Sequence, residues 1–108
     1  MIETNVSEKV ARSLAEFADY ALAEAFRACL VPPRADEKIW EWDRKEEKYL
    51  VWIIAEFEGY GVAVAYTEKG FGEKGYPWGL VSHEDNSTGS SNHWYQTLEE
   101  CVADSCYL

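Results

Sequence analysis

The side chains of this 108-residue chain with the widest chemical reach are His83, His93, Cys29, Cys101 and Cys106. Thiolate and imidazole are zinc ligands, and all of these but Cys29 crowd towards the C-terminus. Structural zinc sites draw on paired cysteines spaced C-x2-C, and the chain has no such pair. Cys101-x4-Cys106 on one helix would set the second sulfur about half a turn from the first. Cys101 therefore reads as a small buried hydrophobe. A cysteine nucleophile served by His83 or His93 needs a spatial adjacency that no local signature announces. Acid–base pairs are no better marked, because 20 Asp and Glu in one short chain make neighbouring carboxylates inevitable. The expectation is a protein with no catalytic residue, no metal and no cofactor, that is, not an enzyme.

Gly70-x-Gly72-x-x-Gly75 has the letters of a dinucleotide-binding fingerprint and comes after a strand. The fingerprint must open a helix whose N-terminus faces the pyrophosphate, and Tyr76-Pro77 opens a further strand instead. The glycines suit a loop that presents Phe71, with Tyr76 and Trp78 at its base; the same aromatics folded back over the sheet edge are the structural alternative. Exposed aromatics flanked by acids are typical interface anchors. The candidate partner-binding set is therefore Phe71, Glu73, Tyr76, Trp78, Glu84, Asp85 and Trp94.

The element that must position these residues is the stretch Tyr49–Thr67, two long strands joined by Gly59-Tyr60-Gly61. In the first strand Tyr49, Val51, Ile53, Ala55 and Phe57 take one face, while Leu50, Trp52 and Ile54 take the other. Apolar residues on both faces call for cover on both sides. The first face is expected to pack on an N-terminal helix. The second cover would be the C-terminal helix, the long loops or another molecule, which leaves a homodimer open. In the second strand Ala63 and Ala65 leave room for a helix to approach.

Before the hairpin, Val10, Leu14, Phe17, Ala18, Ala21, Leu22, Ala25, Phe26 and Cys29 recur at three- and four-residue steps. They form the apolar stripe of one long helix, capped at Asn5 or Ser7 and stopped by Pro32-Pro33. Ile39–Asp43 alternates as a half-buried strand, and Arg44–Lys48 makes the turn into the central strand. After the hairpin, Trp78–His83 is a fourth strand and 84–92 a polar loop. Thr97-Leu-Glu-Glu100 is a capping box that opens a short helix with Leu98, Cys101 and Val102 inward and Glu99, Glu100 and Asp104 outward. The predicted fold is a single α+β domain over residues 1–108, α-β-β-β-β-α, with a mainly antiparallel four-stranded sheet.

Hydrophobic residues make up 47% of the chain and there are five Trp, enough apolar area to exclude intrinsic disorder. The net charge is −10, and no Lys or Arg occurs from Gly75 to Leu108. Such a chain does not bind phosphate backbones directly, since that draws on basic clusters. Its field steers it to a basic partner, although the same charge serves solubility alone. The acids of the first helix are interrupted by Arg12 and Arg27, an ordinary solvated face rather than a phosphate-like array. Three cysteines imply no disulfide scaffold. The first residues lack a basic-then-apolar leader, and no apolar run reaches the ~18 residues of a spanning helix, so a cytoplasmic location and no membrane partner are expected. Asn86-Ser87-Thr88 is then a chance glycosylation match.

In size, acidity and aromatic loops the chain resembles the small inhibitors encoded by phages and mobile elements, notably anti-CRISPR proteins. The resemblance is compositional, spans the whole chain and rests on no motif. It implies contact with a larger basic, nucleic-acid-binding protein such as a Cas protein, through Glu73, Glu84 and Asp85 beside Phe71 and Trp78. An immunity protein against a basic nuclease toxin fits the same composition. A small ligand-binding domain or enzyme, using a pocket between sheet and last helix, is the alternative from another class.

Overall fold

The computed structural model describes residues 3–42, 45–57, 59–71, 75–82 and 93–105. Two helices, α1 (Glu3–Ala15) and α2 (Tyr20–Arg27), precede four strands, β1 (Leu30–Trp42), β2 (Lys45–Phe57), β3 (Val62–Phe71) and β4 (Tyr76–Ser82). A short β5 (Trp94–Tyr95) and α3 (Leu98–Ser105) complete the order. The strands form one antiparallel meander in the order β1-β2-β3-β4-β5. The α+β class and antiparallel sheet are those expected, with Trp94–Tyr95 added as a fifth, edge strand.

The N-terminal helix is two helices rather than one. Asp19 stands in an extended conformation and its carboxylate accepts the Leu22 N–H at 3.0 Å, which caps α2 and restarts the helical phase. The apolar stripe shifts accordingly. Val6, Val10, Leu14 and Phe17 are buried, then Ala23 and Phe26, while Ala18, Ala21 and Ala25 are exposed. Asn5 and Ser7 lie inside α1 and do not cap it. At the other end α2 stops at Arg27, and Pro32-Pro33 belong to β1. There they sit on the outermost strand, between Leu30 and Arg34, where the pairing with β2 shifts register. An edge strand can dispense with the N–H groups that proline lacks.

β1 pairs with β2 from Leu30↔Ala55 to Trp42↔Lys45, so residues 45–48 are strand, not turn; the connection at residues 43 and 44 lies outside the described residues. Arg34 Nη1 donates to Glu56 Oε1 at 2.6 Å and ties the two strands where the register slips. A second irregularity, between Ile53 and Ala55 in the pairing with β3, breaks the alternation of β2. A bulge inserts one residue and turns the rest of the strand to the other side. Ile54, Ala55 and Phe57 consequently share one core, while Val51 and Ile53 belong to another.

Those two cores correct the expected packing. All three helices lie on the Trp52–Ile54 side, against Val64, Tyr66 and Trp78, with Phe26 and Phe57 rings 6.3 Å apart. α3 joins them there through Leu98, Cys101 and Val102. The Val51–Ile53 side, expected under the first helix, instead packs with Ala63, Ala65, Val81 and Trp94. The room left by Ala63 and Ala65 receives an indole rather than a helix. Gly79 pairs across the strands with Trp94, and a Cβ on Gly79 would stand 2.4 Å from the indole ring.

Candidate partner-binding surface

The aromatics singled out from the sequence separate into core and surface. Trp78 is 2% exposed and packs against Tyr66, with ring centroids 4.7 Å apart on paired strands. Trp94 is 3% exposed over Gly79. Both tryptophans therefore hold the sheet together and offer a partner no surface. Tyr76 is half-buried beside the Val51–Val81 core. Its backbone pairs with that of Phe71, so β3 and β4 are still paired at these two residues. Gly70 is buried at φ +76°, and a Cβ there would meet the Gly75 carbonyl oxygen at 2.0 Å, so the two strands can close only on glycine. Glu73, Glu84 and Asp85 lie outside the described residues, as do His83 and Cys106.

Among the described residues no group of three or more His, Cys, Asp or Glu could hold a metal ion. Cys101 is buried, and that burial, with Asp104 adding to it, pushes its thiol far above the usual range. A thiol held protonated is a poor nucleophile and a poor metal ligand. Tyr66 is raised in the same direction, first by burial and then by Glu68.

The surface that the sequence does not announce lies where α1 ends, α2 begins and the first turn of α3 meets them. Thr97 opens α3 as expected: its hydroxyl accepts the Glu100 N–H at 3.2 Å and donates to the Glu100 carboxylate at 3.1 Å. Glu99, expected to face outward, reaches across instead. Its two carboxylate oxygens accept the N–H groups of Ala18 (3.2 Å) and Asp19 (3.0 Å) and so fasten α3 to the α1–α2 break. The Tyr95 hydroxyl donates to Asp104 at 2.5 Å and ties α3 to β5. Asp19 and Glu99 thus satisfy backbone donors at the start of α2, where the helix dipole also favours negative charge, while the Thr97 hydroxyl does so at the start of α3.

Two residues of this corner have no such task. Tyr20, the first residue of α2, is 79% exposed, and Glu16 is exposed just before it. Tyr20 directly follows Asp19, whose N–H the Glu99 carboxylate accepts, so an exposed aromatic ring stands next to two acids at this helix start. In the sequence Tyr20 passes for one more residue of a continuous helix; only the Asp19 cap reveals that it stands at a helix start. The described chain contains no helix long and apolar enough to cross a membrane. Comparison with protein-family models, curated proteins and solved structures finds no match.

Proposed function

We propose that this chain is a stoichiometric, non-catalytic inhibitor that binds a larger basic protein and covers its nucleic-acid-binding surface. A CRISPR–Cas protein is the kind of partner that the compositional resemblance suggests. The observation that carries the reading is the solvent-exposed Tyr20 in an acidic corner of a chain with net charge −10. Acids steer a basic surface to the corner, and a ring there supplies the desolvated anchor that charge alone lacks. The residues singled out from the sequence, Phe71, Tyr76, Glu73, Glu84 and Asp85, would extend the contact. The redundancy of acids suits a broad basic surface better than a single bound cation.

The test is capture of partners from host lysate on the immobilised chain at low and at high salt, alongside the variants Tyr20→Ala and Glu16→Lys. The reading expects a basic nucleic-acid-binding protein that elutes as salt rises and is retained at least tenfold less by Tyr20→Ala, the loss typical of an interface anchor at ~1.4 kcal/mol or more. Retention indifferent to salt and to both substitutions would remove it.

A further inference from the structure

Away from the acidic corner, α1 and the edge strand β1 enclose a half-open cavity of about 150 Å³. Its lining includes the apolar Val10, Leu14, Leu30, Pro33 and Ile54 and the polar Ser7 and Arg27. A dry apolar cavity of roughly this volume accommodates a benzene-sized group. The only charged residue in that lining is Arg27. Arg27 uses Nε to donate to Glu24 Oε1 at 3.1 Å, in a pair with side chains 51% and 74% exposed. That contact orients the guanidinium but leaves its two Nη groups without a partner among the described residues. The Ser7 hydroxyl has none there either. The free polar groups are thus a serine hydroxyl and a fork of N–H donors, and the fork matches a carboxylate with two parallel hydrogen bonds.

We infer that this groove is a binding site for a small monocarboxylate with a branched aliphatic or aryl body, its apolar end on Leu14, Leu30 and Ile54 and its carboxylate on Arg27. Charge complementarity selects this occupant. In a chain with an excess of acids, an arginine with unused donors in the lining of an apolar cavity favours an anion with an apolar tail over a neutral or cationic group. The site is small, so the affinity expected is millimolar. It is independent of the partner-binding corner and stands or falls without it.

The test is an amide-resolved NMR titration of the full chain with 4-methylpentanoate and 3-phenylpropanoate, and with neutral 4-methylpentanamide as isostere. The inference expects saturable shifts centred on Ser7, Val10, Leu30 and Ile54, with the carboxylate bound about tenfold more tightly than the amide. Arg27→Gln, at an exposed position that leaves the core intact, should erase that tenfold difference while the amide still binds. Ala11→Leu, which fills the cavity from an exposed helix position, should abolish the shifts for every probe. Absence of saturable shifts with the wild-type chain overturns the inference. Equal binding of carboxylate and amide overturns it as well, because the groove would then be a general socket for apolar groups.

Discussion

At Gly79 the side chain is missing because the Trp94 indole occupies its place, and the two residues together close the second core. Gly79→Ala should destabilise the fold by about 1–3 kcal/mol through overpacking, and Trp94→Ala by about 3–5 kcal/mol through the cavity left behind. Urea denaturation of the two variants checks both; a Gly79→Ala protein as stable as wild type would mean that the indole does not lie there. Cys101 gives a prediction in pH. Burial raises its thiol, so the folded state keeps a proton that the unfolded chain releases above about pH 8.5. The stability this contributes is complete below that pH and is lost as the pH climbs towards the folded-state value. Unfolding free energy should therefore fall above about pH 8.5, by at most ~1.4 kcal/mol per unit from this group. Tyr66, raised in the same direction, adds to the fall above about pH 10. Denaturation of wild type and Cys101→Ala at several alkaline pH values should show a shallower fall in the variant; parallel slopes would contradict the assignment. Burial is not equally legible at these positions. Cys101 declares itself through its helical spacing, whereas Trp78 and Trp94 sit beside glycine-rich and polar segments that read equally well as surface.

Among the elements, the α1–α2 break depends on contacts that sequence neighbours cannot reveal. Asp19 caps α2 locally, but the N–H groups of Ala18 and Asp19 are taken by Glu99, which arrives from α3 at the far end of the chain. The run from Val10 to Cys29 therefore reads as one helix, since its three- and four-residue steps persist across the break. The same limit applies to β2. Its alternation predicts two faces correctly as far as Ile53, and the bulge before Ala55 then changes which face is which. By contrast the Thr97–Glu100 box and the alternation of Val62, Val64 and Tyr66 are readable, because each is set by residues within a few positions. The Asp19–Glu99 arrangement should behave as a coupled unit. Asp19→Ala and Glu99→Ala should each cost about 1 kcal/mol, and the double variant should differ from their sum by at least ~0.5 kcal/mol. A thermal or urea double-mutant cycle measures this; strict additivity would mean that the α3 tether and the α2 cap act separately.

On the scale of the whole molecule, three helices crowd one face of the sheet, a tryptophan helps close the other, and the chain carries a net charge of −10. Asp19 and Glu99, which satisfy donors at the α2 start, stabilise the fold and also put negative charge beside the start of α2 where Tyr20 stands, so fold and proposed recognition draw on the same residues. This separates what substitutions can test: Glu99 and Asp19 report on stability, while Tyr20 and Glu16 report on binding with the fold preserved. The central claim is that binding here excludes nucleic acid from the partner. Its most direct measurement is competition: the captured basic partner, loaded with a fluorescent nucleic acid, is titrated with the purified chain and monitored by anisotropy. The account predicts displacement that ends at one chain per partner and shifts at least tenfold to higher concentration for Tyr20→Ala. A stable ternary complex of partner, nucleic acid and chain would contradict it.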